Sequence, residues 1–359
     1  MNNRLTYFDV LKGIAIFMVV VGHVITMCIR EIDRTPLFKF VAEIHMPLFF
    51  FISGWFMFRT DKAGALRAPS LGRRALQLLV PMAVVSSIWV VYFPCSGLQT
   101  PLDSTFTGLW SNSWKNGYWF TLCLFEIIVV YALFFPLFKR YRSAGFRSLI
   151  SVLVWFVLLW ICFVTKGSYV SQWLGIDALA TYWPAFMAGV IASSRSDKFN
   201  RMVSNLWCTT TSLLVGAALL YYICWWWEFP AVEVFKGNEF NLVVLRPVFH
   251  ICLAFVAVAV FRPWVNGVPN ARWVRLWAYL GVNSLGIYLL HYFFLFPMGC
   301  FRDFAVGLNL AFVPMLVIAS LAAIFVTAVT LGIMRVVSIS PILNFLLTGS
   351  FPKKNAPKP

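Results

Sequence analysis

His23, Lys12 and Asp9 stand together in one apolar stretch, "YFDVLKGIAIFMVVVGHV" from Tyr7 to Val24. Coiled as a helix at about 100° per residue, the three fall within a stripe roughly 60° wide, because the step from Lys12 to His23 is close to three whole turns. They face one direction. The rise sets His23 roughly 16 Å beyond Lys12 along that stripe. An imidazole at that depth can accept or relay a proton near neutral pH, since its ordinary pKa is about 6.5. Asp9 and Lys12 also have the i,i+3 spacing of an ion pair that reaches back to the membrane surface.

His23 has company at its level. Counted from the inner ends of their hydrophobic segments, His45, Glu126, Arg246 and His291 come to a similar depth, with His250 slightly below. Ionisable groups from several helices are satisfied more easily together, around one hydrated cavity, than separately in lipid. Glu126 has Arg246 or a histidine as its candidate partner. Ser284, Tyr288 and His291, at i, i+4 and i+7, share one helix face and form either a cavity wall or interhelical contacts. Buried histidine, glutamate and arginine also build proton relays, so a proton-coupled membrane transporter is the alternative reading. Such transporters pair two halves with matching broken helices, and no pairing of that kind is visible in the sequence.

The scaffold for these groups is set by composition. Of 359 residues 61% are hydrophobic and 12% charged, about half the charged share of a soluble domain. The chain is therefore read as all-α and polytopic, one integral membrane domain over residues 1–359 with a short disordered tail at 350–359. Recurrent apolar runs predict about ten transmembrane helices around a central cavity, at 10–29, 44–58, 75–93, 118–138, 149–165, 178–192, 206–227, 242–261, 276–297 and 308–334. The second and sixth are short and hold Pro47 and Pro184, which predicts kinks.

The net charge of +16 follows from topology. The predicted inner loops hold 20 of the 29 lysines and arginines and the outer loops 7, with Lys12 and Arg246 inside spans. That asymmetry puts both termini in the cytoplasm. Spread over successive loops, these charges form no single patch for nucleic acid. The eight cysteines show no C-x-x-C spacing, so neither a metal site nor a disulfide framework is indicated; Cys95 and Cys300 are the pair that falls in outer loops. The first span is too long and too charged at its start for a cleaved signal. The tryptophans of "CWWWEF", Cys224 to Phe229, fit an interfacial belt.

Four stretches carry a resemblance. The start "YFDVLKGIAIFMVVVGH" resembles the first helix of the acyltransferase family 3 integral membrane proteins, and "HMPLFFFISGW" (His45 to Trp55) resembles their second-helix signature. "YWF" (Tyr118 to Phe120) is similar to the family's fourth-helix entry and "SLGIYLLH" (Ser284 to His291) to its late-helix motif. The four occur in the family's order over residues 7 to 291. The family usually shows two arginines three apart before a Leu-Leu-x-Pro run; "RRALQLLVP" has Arg74 at the first position and Gln77 at the second, with Arg73 offering a charge from another helical face.

This resemblance implies transfer of an acyl group, most often acetyl, from acyl-CoA to a hydroxyl of a carbohydrate or lipid-linked glycan, in a bacterial inner membrane. The partners implied are acyl-CoA, the glycan acceptor and the bilayer, with no nucleic acid and no tightly bound cofactor. A sugar hydroxyl is a poor nucleophile at neutral pH, so His23 would act as general base, or as a transient acyl carrier. His45 would orient His23 or donate to the developing oxyanion. Arg73, Arg74 and Lys12 would meet the donor's phosphates on the cytoplasmic side.

Overall fold

The computed structural model describes residues 5–29, 36–61, 64–96, 117–141, 143–224, 239–298 and 312–350. Among them the chain is helical, with one isolated β-bridge between Thr60 and Leu66. In chain order the helices are α1 (Thr6–His23), α2 (Pro36–Met57), α3 (Leu71–Tyr92), α4 (Trp119–Arg140), α5 (Ala144–Thr165), α6 (Tyr169–Leu174) and α7 (Ile176–Ser194). There follow α8 (Ser196–Val203), α9 (Leu206–Cys224), α10 (Glu239–Gly267), α11 (Arg272–Val282), α12 (Ser284–Leu290), α13 (Phe312–Val337) and α14 (Pro341–Thr348).

Eight helical stretches among the described residues are long and apolar enough to cross a bilayer. The expected sixth span falls on α7, a 19-residue helix containing Pro184 and bearing Asp177, Thr181 and Tyr182 along its N-terminal half. The expected ninth span, 276–297, is broken rather than continuous. α11 stops at Asn283, whose side-chain amide donates to the Tyr279 carbonyl at 2.9 Å. α12 then runs only to Leu290, and a 3-10 turn, His291–Phe294, completes the passage. Broken backbone at membrane depth is tolerated where protein surrounds it, and Ile287 to Leu290, His291 and Tyr292 are all buried.

Small residues bring the central helices into backbone contact, as expected where lipid supplies no hydrophobic drive between helices. A methyl group added at Gly13 would run into the Trp277 carbonyl, and one at Gly281 into the Asp9 carbonyl. α1 and α11 therefore touch spine to spine and, with α2 and α7, are one of the two most extensive helix pairs among the described residues. Gly54 meets Phe186 and Gly189 meets Phe51 in the same way, which fixes α2 against α7. The core between them is aromatic, with Phe50 stacked on Tyr182 at 4.6 Å and Tyr131 on Phe138 at 5.4 Å. The short α14 was not expected from the sequence. It lies against α3 and ends at Gly349, a left-handed residue (φ 68°) set beside the Gln77 carbonyl.

Candidate active site

α1 ends at His23 and passes directly into a π-helical turn, Val24–Ile29. Such turns recur at functional sites, because the wider spiral frees backbone and re-aims side chains. His23 is partly exposed, whereas His45, His250 and His291 are buried. The Tyr292 hydroxyl lies 2.8 Å from His23 Nε2. The His291 ring stands 5.2 Å from that of His23, centroid to centroid, and His45 lies within electrostatic reach. Three of the chain's four histidines thus gather at one point.

The gathering depends on stitching between two distant segments. The Tyr288 hydroxyl donates to the Gly117 carbonyl and accepts from the Phe120 amide at 3.1 Å, while the Tyr118 hydroxyl donates to the Leu289 carbonyl at 3.2 Å. Gly117 has φ 96° and abuts the Tyr292 hydroxyl, so a side chain there would be both strained and obstructed. The turn before α4 therefore holds the 3-10 segment in place, and with it the hydroxyl that meets His23.

Two adjoining cavities run from the arginines of the predicted inner side to Tyr288, whose ring is 6.4 Å from that of His291. The first, about 350 Å³, is lined by Arg59, Arg67, Arg73 and Arg74 together with Ser70 and Gln77. The second, about 150 Å³, runs from Lys12, Arg74 and Gln77 past Phe49 and Phe120 to Ser284 and Tyr288. Arg74 and Gln77 line both, and the Arg74 guanidinium donates to the Gln77 side chain at 3.1 Å. The entrance suits phosphates, and the narrower inner part suits a thin, mostly apolar arm.

The expected layer of polar groups divides into two clusters. His23, His45 and His291 form one. Arg246 and His250 form the other, on the far face of α2, where Glu43 is ion-paired with Arg246 at 3.1 Å and hydrogen-bonded to His250 Nε2 at 3.4 Å. The carboxylate at Arg246 is thus Glu43, in place of the Glu126 weighed from sequence; Glu126 stands partly buried on α4. Tyr182 stacks on His250 at 5.6 Å. Asp9 is buried and paired with Lys12 at 2.8 Å, so these two leave only the Lys12 side chain in the cavity wall. Ser284 and Tyr288 are also in that wall, whereas His291 sits behind it. Among the described residues no group of three or more His, Cys, Asp or Glu is placed to hold a metal. Cys300, the tryptophans at 225–227 and the tail at 351–359 lie outside the described residues.

Sequence reasoning missed Tyr292, Arg59, Arg67 and Glu43. Tyr292 follows the late-helix motif by one residue, and Glu43 precedes His45 by two, so proximity to a motif was the available signal. Arg59 and Arg67 were counted only as topology charges.

A family model described as "Acyltransferase domain" matches residues 5–334. Among curated proteins, the Nodulation protein NolL of Sinorhizobium fredii (strain NBRC 101917 / NGR234) is 34% identical over 143 residues, 37% of this chain and 37% of that protein. The Nodulation protein NolL of Mesorhizobium japonicum (strain LMG 29417 / CECT 9101 / MAFF 303099) is 35% identical over 126 residues, 32% of each chain. The chain thus spans about a third of the length of the curated relatives it matches. No solved structure matches.

Proposed function

The chain belongs to the acyltransferase-domain family, and from that premise we propose that it moves an acyl group, acetyl in the first instance, from acyl-CoA to a hydroxyl of a carbohydrate or lipid-linked glycan. The observation that carries this reading is the pair of cavities sharing Arg74 and Gln77. A donor with its phosphates at the four arginines has a path for the pantetheine arm past Lys12 toward Tyr288, the wall in front of the histidines. In the direct reaction His23 takes the acceptor hydroxyl's proton as the oxygen bonds to the thioester carbonyl carbon. The C–S bond then breaks and the proton passes from His23 to the leaving thiolate, giving free thiol. An acyl-histidine carried by His23 would balance equally.

Arginine at the entrance agrees with an acyl-CoA donor arriving from the cytoplasm, and the loop charges agree with both termini on that side of a bacterial inner membrane. A proton-coupled transporter gains nothing from these findings, because the charges it was to explain lie in two closed clusters rather than in a file across the membrane.

The test is release of CoA thiol from acetyl-CoA by the purified protein, with and without lipid-linked saccharide, and with His23→Gln beside the wild type. Glutamine keeps a hydrogen bond to Tyr292 but accepts no proton at neutral pH, so the variant should be inactive while inserting and melting as the wild type does. Substantial turnover by well-folded His23→Gln would remove His23 from the chemistry. Absence of acceptor-dependent release by the wild type would overturn the reading as a whole.

A further inference from the structure

The three clustered imidazoles do not use their nitrogens alike. His45 Nδ1 is bonded to the Val41 carbonyl, and His291 Nδ1 to the Ile287 carbonyl at 2.9 Å. A carbonyl can only accept, so in the neutral rings both Nδ1 atoms carry the hydrogen and the lone pair sits on Nε2. His23 differs. Its ring is bonded to the Tyr292 hydroxyl, which can donate or accept, so its tautomer is free to change.

His291 Nε2 is fully buried and has no hydrogen-bond partner among the described residues. A buried acceptor left unpaired costs stability, and each such atom calls for a reason. The neighbour that can supply one is His23. Two imidazoles joined by a linear N–H···N bond of about 3 Å have ring centroids roughly 5 Å apart. The observed 5.2 Å is that separation, with the planes tilted at 37°. The rings are close enough for such a bond to form on reorientation, and none joins them at rest.

We propose that His291 is the hydrogen-bonding partner of the His23 cation: the acceptor hydroxyl's proton reaches the His23 nitrogen that meets the Tyr292 hydroxyl, and the N–H on the opposite ring nitrogen then donates to the His291 Nε2 lone pair. This rests on the reading of His23 as the proton acceptor. The cation forms where water is scarce, and a preorganised acceptor aimed at it is worth more there than in bulk solvent. Because the bond strengthens when His23 becomes charged, it lowers the barrier by more than it tightens the resting complex. His291 acts through His23 and is a positioning residue. The Ile287 carbonyl fixes its tautomer, much as a carboxylate fixes the imidazole of a hydrolase triad, one step further from the substrate. When the proton leaves for the thiolate, His23 returns to neutral, His291 has stayed neutral throughout, and the atom balance closes.

Two substitutions separate this role from a structural one, with radiolabelled acetyl-CoA as donor and isolated lipid-linked saccharide as acceptor. His291→Asn keeps an N–H where Nδ1 bonds the Ile287 carbonyl but has nothing at the Nε2 position. His291→Gln does the reverse, placing an amide oxygen near Nε2. We expect His291→Asn to lose on the order of 10- to 100-fold in kcat, the scale of one charge-assisted hydrogen bond, with KM for acetyl-CoA unchanged. His291→Gln should keep most of the wild-type kcat even where its melting temperature falls. A structural histidine predicts the opposite order, with asparagine the better replacement, and that order would overturn the inference. Equal kcat in both variants and wild type would overturn it as well. A wild type inert toward every saccharide tested would instead remove the proposed function on which it rests.

Discussion

Replacement of Arg74 by glutamine should separate donor binding from chemistry. Four arginines line the entrance cavity, but they are not equivalent: Arg59, Arg67 and Arg73 are exposed, while Arg74 is partly buried and lines both cavities. A charge-assisted hydrogen bond from a partly buried guanidinium to phosphate is worth about 1.5 to 3 kcal/mol. That converts to roughly 10- to 150-fold in affinity at about 1.4 kcal/mol per tenfold. Exposed charges are screened and contribute up to about 1 kcal/mol, or roughly fivefold. Arg74→Gln should therefore raise KM for acetyl-CoA by 10- to 100-fold, on the order of one such bond. Arg59→Gln and Arg67→Gln should each raise it by about two- to fivefold. In all three kcat should hold, because none of these side chains is in contact with the histidines. Steady-state kinetics at two salt concentrations would measure this, and the smaller effects of Arg59 and Arg67 should fade at high salt. Equal effects from exposed and buried arginines, or a fall in kcat with KM unchanged, would refute the placement of the phosphates.

Gly281→Ala would push a methyl group into the Asp9 carbonyl and part α1 from α11. We expect about 1 to 3 kcal/mol of destabilisation, the usual cost of overpacking, read as a lower melting temperature in detergent; an unchanged melt would show that the two backbones are not in contact. Single cysteines introduced at Ser143 and Asp103 in a cysteine-free background should differ in reach, with an impermeant reagent marking only Asp103→Cys from outside. Outside labelling of Ser143→Cys would reverse the orientation and move the arginine-lined entrance to the other face.

Much of the site could be read from residue spacing because its parts lie on regular helices near recognisable stretches. His23, Lys12 and Asp9 belong to one helix, and a fixed angle per residue places them without knowledge of any neighbour. The layer of His23, His45 and His291 was legible for the same reason, since depth along a span is counted in residues. Lateral position is not counted that way. His45 and Glu43 are two residues apart on α2, hence on nearly opposite faces, and this divides the expected single layer into a histidine cluster and a Glu43–Arg246–His250 cluster. Which carboxylate meets Arg246 depends on how α2 packs against α10, a fact of assembly absent from either segment alone.

By itself the sequence determined that this chain is helical, crosses a membrane many times and carries titratable groups within its apolar stretches, because apolar length and helical period are local properties. It also held the four stretches that mark the family. The tertiary structure alone decided that the ninth passage breaks at Asn283 and again at His291, that Tyr292 is bonded to His23, and that His291 Nε2 has no hydrogen-bond partner among the described residues. Those outcomes rest on glycine contacts between α1 and α11 and on tyrosine hydrogen bonds spanning about 170 residues of sequence. Such contacts are decided by which helices come to lie side by side, and no window of sequence contains that information.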